Sequence, residues 1–265
     1  MGKVYLVGAG PGAADLLTVR AARLLEAADI VFYDALVGSA TLALATRARL
    51  VSVGKRCGAF SAAQHFINKR LVDAAHRYPI VVRLKGGDPM LFGRAQEEID
   101  ALQKAGIAVE VVPGVTAAFA ASAELGVSLT RRTLSRSVVF ATPRIGRGAP
   151  GSDWLAAVLA ADTAVLYMAY GELAEIAGLL IRRGKDPGLP VAIVEGASLE
   201  GPPARFSPLA DLTGSASWAQ PGELPVVILL GEVYRELLEA ARSAPAGPST
   251  AAVGPGSATR RSQAQ

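Results

Sequence analysis

Short apolar runs alternate with segments of helical period along most of this chain, and that alternation limits the possible folds more than any other feature. Residues 3–7, 30–33, 50–53, 80–84 and 109–112 are strand-length runs. Between them, residues 15–27, 39–45, 62–76 and 95–105 space their apolar side chains along one helical face, as with Leu16, Leu17, Ala21, Leu24 and Leu25. Strands separated by helices pair side by side in one direction, giving a parallel sheet covered on both faces. A second series follows, with strands expected at 137–142, 163–168, 191–194, 204–207 and 226–230 and helices at 116–125, 153–160, 172–182 and 232–242. The expectation is an α/β fold of two α/β domains with largely parallel sheets, over residues 1–114 and 115–242, with a ligand cleft between them. Residues 243–265 are rich in Ala, Gly, Pro, Ser and Thr, lack the apolar surface to offset ordering entropy, and are expected to be disordered.

With 265 residues and 51% hydrophobic content, the chain can bury one large core or two modest ones. The net charge is +4, and the stretch from Ala241 onward contributes +3 of it through Arg242, Arg260 and Arg261. What remains is near neutral, which argues against a nucleic-acid partner. Cys57 is the sole cysteine, so neither an internal disulfide framework nor a thiolate metal cluster can form. His65 and His76 have polar neighbours and no carboxylate cluster at ligand spacing, so they read as surface residues and no metal is expected. No apolar run reaches the ~18 residues that would suggest a membrane span. The start, Met1-Gly2-Lys3, passes directly into a strand and does not look like a signal peptide, so a cytoplasmic protein is expected.

The run 83–94, RLKGGDPMLFGR, follows an apolar strand and turns through Gly86 and Gly87 into Asp88 and the helix-breaking Pro89. Paired glycines let backbone turn sharply and lie against a ligand, and an aspartate beside them can accept from a ribose or an ammonium group. This reads as a ligand loop at the carboxyl end of a strand, where open α/β sheets bind small molecules. A second glycine loop, Gly8-Ala9-Gly10-Pro11-Gly12, follows the first strand. Gly8, Gly10 and Ala13 fit the dinucleotide pattern GxGxxG/A, and Asp34 lies at about the expected distance for its ribose acid. Pro11, however, removes a donor where a pyrophosphate wants N–H groups. Asp34, at the end of the second strand, can either cap the next turn or act as a base facing the same cleft as both glycine loops.

Taken in order, VYLVGAGPG (4–12), YDALV (33–37), VGKR (53–56), RLKGGDPMLFGR (83–94) and VVPGVTAAFAASAELGVSLT (111–130) resemble the tetrapyrrole methylases, S-adenosylmethionine-dependent enzymes of corrin and sirohaem synthesis. Within that family the segments are most similar to the enzymes that C-methylate uroporphyrinogen III at C2 and C7 to give precorrin-2, and the likeness extends to about Arg235. The resemblance implies Asp34 as proton acceptor and Lys55 as proton donor. It implies donor contacts, leaving S-adenosylhomocysteine as product, at Pro11, Gly86, Gly87, Asp88, Leu91, Thr116, Ala117, Met168 and Ala197. Thr116 and Ala117 open a helix whose first N–H groups are unsatisfied, and Arg56 and Arg83 are expected to hold substrate carboxylates through their guanidinium forks. A homodimer is implied by the family alone.

The chain departs from the family pattern at Thr130-Arg131-Arg132, where relatives read Thr-His-Arg, and at Thr142-Pro143-Arg144, where they read Thr-Gly-His. Each change replaces a titratable ring by a fixed positive charge. Three competing readings stand beside the main one: a methyltransferase for a later precorrin, an NAD(P)-linked oxidoreductase, and an inactive tetrapyrrole-binding protein.

Overall fold

The computed structural model describes residues 1–54, 60–144, 153–214, 222 and 224–243, with only the helical backbone for 60–63. The predicted disordered tail therefore lies, but for its first residue, outside the described residues. Strands β1 (Lys3–Gly8), β2 (Ile30–Tyr33), β3 (Arg49–Ser52), β4 (Ile80–Lys85) and β5 (Val109–Val112) form one sheet in the order β3-β2-β4-β1-β5. Every pairing in it is parallel. Helices α1 (Val19–Ala27), α2 (Ser39–Leu42), α3 (Phe60–Ala75) and α4 (Ala95–Lys104) cover it.

The period-two alternation of the strands divides their side chains between two apolar layers. Val4, Leu6, Ile30, Phe32 and Val81 pack on one face against Ile67 and Leu71 of α3 and Ile99 and Leu102 of α4. Val7, Val31, Val82 and Leu84 face the other way, against Ala21 and Leu25 of α1. That helix begins where Thr18 turns its hydroxyl to accept from the Ala21 N–H at 3.1 Å, later than the periodicity suggested. Residues 14–16 form a separate short 3-10 turn instead.

The second half comprises α5 (Ala117–Glu124), β6 (Val138–Ala141), α6 (Trp154–Ala160), β7 (Thr163–Tyr167), α7 (Leu173–Arg182), β8 (Pro190–Glu195), β9 (Arg205–Pro208), β10 (Val226–Gly231) and α8 (Arg235–Ser243). Its sheet runs β6-β7-β10-β8-β9. Here the expectation of a largely parallel sheet is corrected. Only β6 and β7 pair in parallel, whereas β10 is antiparallel to both β7 and β8, and β9 is antiparallel to β8. The link from β8 to β9 contains no helix, and a parallel return needs a crossover of about a dozen residues or more. The strands joined through α6 and α7 do share a direction, as the alternation implied, but β10 is inserted between two of them. The Ala-rich α5 packs on this sheet, with Ala118 and Ala121 buried beside Val165, Ala192, Val227 and Leu229.

Candidate active site

All strands of the first sheet end on one edge, and there the loops after β1, β4 and β5 close on one another through bare backbone. A Cβ on Gly8 would stand 2.5 Å from the Gly114 Cα, and one on Gly114 would overlap the Gly87 carbonyl oxygen. Gly10 and Gly87 exchange backbone hydrogen bonds of 3.2 and 2.7 Å. Gly87 is held at φ +66°, the left-handed region that glycine enters without steric cost, and a Cβ there would meet nothing within 4 Å. Its bare face is therefore turned to open space. Asp88 braces the loop: one carboxylate oxygen accepts from the Met90 N–H at 2.8 Å and the other from the Gly114 N–H at 2.9 Å.

Asp34 reaches the same loops from the end of β2. Its Oδ1 accepts from the Leu36 N–H at 3.1 Å and its Oδ2 from the Gly86 N–H at 3.3 Å, with the side chain a quarter exposed (25%). The turn-capping reading of this residue is met at Leu36, and the Gly86 contact ties it to the glycine loop after β4. Arg83 does not extend to the cleft as expected. It is 4% exposed, donates through Nε to Glu98 at 3.1 Å and through Nη1 to the Leu84 carbonyl at 2.9 Å, and lies 3.8 Å from the Asp34 carboxylate. The reason is register: Arg83 alternates with Leu84, which is buried in the layer against α1, and so points into the layer beneath α3 and α4. Lys85 shares that layer, and burial, aided by the neighbouring Arg83 charge, pushes its ammonium below the ordinary lysine range.

The second sheet supplies the opposite rim. Thr116, 7% exposed, precedes α5, and its hydroxyl is 2.6 Å from the Tyr167 hydroxyl. The Tyr167 oxygen also accepts from the Ala118 N–H at 3.2 Å, so a side chain from β7 caps a helix that begins in the first half's last loop. The Tyr167 ring packs against Phe92 of the β4 loop, with centroids 5.3 Å apart, and Phe140 and Phe119 continue the aromatic row. Met168 follows at φ +56°, uncommon for a residue with a side chain, and it is exposed. Beyond β8, Ala197 is buried between Gly196 and Ser198, both at positive φ. Ser198 crosses to the first half, where its hydroxyl accepts from the Ala13 N–H at 3.0 Å, and Leu199 fills the space that a side chain at Gly12 would need. A cavity of about 390 Å³ opens beside this contact, lined by Leu16, Val115, Phe119, Ala123 and Leu199 among others.

Pro11, Asp34, Gly86, Gly87, Asp88, Leu91, Thr116, Ala117, Met168 and Ala197 thus belong to one belt of interlocked strand-end loops. Lys55 and Arg56 lie outside the described residues. Arg131 is not in the belt. It precedes β6 at the amino end of the second sheet and pairs with Glu236 of α8 at 3.0 Å, while Arg144 follows β6 at the carboxyl end, on the Met168 side. Sequence reading missed Tyr167, Phe92 and Ser198, although Phe92 lies inside the 83–94 run and Tyr167 beside Met168.

The architecture is that of solved methyltransferases. A uroporphyrin-III C-methyl transferase from Thermus thermophilus, complexed with S-adenosyl homocysteine, superposes with a TM-score of 0.76 at 39% identity over 89% of this chain and 94% of that one. A cobalt precorrin-4 methyltransferase gives 0.74 at 26% identity, covering 87% and 95%. The family model for Tetrapyrrole (Corrin/Porphyrin) Methylases matches residues 3–213, and the chain belongs to that family. A siroheme synthase from Psychrobacter sp. (strain PRwf-1) is 44% identical over 89% of this chain and 48% of its own length. The chain spans about half the length of the curated relatives it matches.

Proposed function

We propose that this chain transfers methyl groups from S-adenosylmethionine to C2 and C7 of uroporphyrinogen III, giving precorrin-2 and S-adenosylhomocysteine. The observation that carries the reading is the Gly8–Gly87–Gly114 junction, which leaves bare backbone at Gly87 facing open space; the likeness to a 39% identical methyl transferase complexed with S-adenosyl homocysteine supports it. The fit rests on this chain's own surface: backbone without side chains at Gly87, and exposed Leu36, Met90, Phe92 and Met168 offering apolar area for flat aromatic groups. When bound, the donor's sulfonium presents an electrophilic methyl group and departs as a neutral thioether.

The protein's task is then alignment, which can supply several kcal/mol of the barrier. C2 and C7 already carry side chains and no hydrogen, so each methyl cation gained there is balanced by a proton lost elsewhere on the macrocycle, and we assign Asp34 to receive it on a carboxylate oxygen. Its hydrogen bonds from Leu36 and Gly86 fix both oxygens and leave each a lone pair. Lys55 is assigned the proton-donor role by family likeness. Pro11, Leu91, Thr116, Ala117, Met168 and Ala197 line the donor, with Gly86, Gly87 and Asp88 shaping the loop beneath it. We also read residues 1–114 and 115–242 as two lobes, and the protein as a cytoplasmic homodimer. Among the described residues no helix is long and apolar enough to cross a membrane.

Anaerobic incubation with uroporphyrinogen III and S-adenosylmethionine, read by mass spectrometry, tests the reading. Product gaining one or two methyl groups supports it. No gain on this substrate, with gain on a later precorrin, assigns the sister activity, and substrate binding without transfer identifies a carrier. Thermal stabilisation by NAD(H) rather than S-adenosylhomocysteine would favour the oxidoreductase.

A further inference from the structure

Beneath the Asp34 loop lies more charge than any step above employs. Arg83 and Lys85 are each 4% exposed and Glu98 of α4 is fully buried at 0%. One carboxylate serves both cations: Glu98 Oε1 accepts from Arg83 Nε at 3.1 Å, and both its oxygens accept from Lys85 Nζ at 3.1 Å. Gln64 of α3 donates to the same Oε1 at 3.2 Å. Groups of these types are almost never fully buried unless paired. Replacing such a cluster by well-packed apolar residues is often neutral or stabilising, so stability alone does not account for it.

The geometry offers a second reason. The guanidinium is a rigid planar fork, so fixing one nitrogen fixes the directions of the others. Glu98 holds Nε, the Leu84 carbonyl holds Nη1 at 2.9 Å, and Nη2 is thereby turned to the Asp34 Oδ2 at 3.8 Å. Asp34 then has two backbone N–H groups beside it and a cation behind it.

We infer that Glu98 is a positioning residue for the methyl-transfer reaction, acting through Arg83 to hold the Asp34 carboxylate in the orientation that receives the substrate proton. The inference rests on the assignment of Asp34 as proton acceptor. Lys85 completes the cluster by balancing the second carboxylate, so the quartet of Arg83, Lys85, Glu98 and Asp34 is neutral as a whole.

The test is a double-mutant cycle on the full chain with Glu98→Gln, Asp34→Asn and the double variant, measuring kcat and the dissociation constant of S-adenosylhomocysteine. A misplacement of about 1 Å can cost on the order of 100-fold in rate. Glu98→Gln is expected to lower kcat about tenfold or more, with product-analogue affinity within about twofold of the parent. The double variant should be no slower than Asp34→Asn alone, because the positioned group is already gone. Arg83→Lys gives a second route should Glu98→Gln fail to fold: it keeps the buried charge, cannot span both carboxylates, and should show the same non-additivity. Unchanged kcat in the Glu98 and Arg83 variants, or losses that multiply with Asp34→Asn, would overturn the positioning role while leaving Asp34 as the base. Full turnover in Asp34→Asn would place the failure in the Asp34 assignment, and the inference would fall with it.

Discussion

Gly8 ends β1 and Gly87 lies two residues beyond the end of β4, yet a side chain at each would meet opposite conditions. At Gly8 the Cβ would enter backbone atoms of Gly114, whereas at Gly87 it would project into open space. Gly8→Ala is therefore expected to cost about 1–3 kcal/mol of stability by overpacking, seen as a lower urea midpoint. Gly87→Val should remain folded, carrying left-handed strain of about 1–2 kcal/mol, but lose binding of S-adenosylhomocysteine in calorimetry. Tyr234 tests a different cost. It is fully buried, and among the described residues its hydroxyl has no hydrogen-bond partner. Burial pushes that phenol above the usual 10.0. Below pH 10 both folded and unfolded forms are neutral. Above it the unfolded chain ionises first, so stability falls by about 1.4 kcal/mol per pH unit until the folded phenol titrates too. Tyr234→Phe should abolish this alkaline loss and raise stability near neutral pH by about 1 kcal/mol, as denaturant titrations on either side of pH 10 would show.

Among the elements, α6 has its carboxyl end held by a residue from beyond α7. Lys185 donates to the carbonyls of Val158, Leu159 and Ala161 at 3.0, 3.3 and 3.1 Å. Lys185→Met keeps much of the stem but removes that cap. It should lower stability by about 1–2 kcal/mol without altering donor affinity, measured by unfolding and calorimetry on the same preparation. Most element positions were legible in the chain, because strand and helix impose different spacings on apolar residues. Val109–Val112 and Ile30–Tyr33 fall where their patterns put them. Strand direction was less legible. The run at Val226–Gly231 is apolar on both faces, and a doubly buried strand has the same pattern whichever way it points. The glycine loops and Asp34 were recoverable because chemistry and turn geometry coincide there. The inward turn of Arg83 depended on its pairing with Glu98, a partner 15 residues away on another element, which motif reading does not see.

For the molecule as a whole, the two halves are stitched by a few contacts of known kind. Across the halves, the Tyr167 ring touches Phe92 and Ser198 reaches Ala13, while the Tyr167 hydroxyl holds Thr116 and Ala118 at the start of α5. Tyr167→Phe keeps the ring contact but frees the amino end of α5. Product-analogue affinity is expected to weaken about tenfold, near 1.4 kcal/mol, while the melting transition moves little. The placement of β10 carries a consequence for synthesis. A chain leaving the ribosome has every strand of its first sheet once Val112 is out, and domains near the amino terminus generally fold first. The other sheet must wait for residues 226–231, because its last strand to be made is its middle one. Until then β7 and β8 would have no shared neighbour, and a ribosome stalled before that point would display two bare strand flanks open to mispairing.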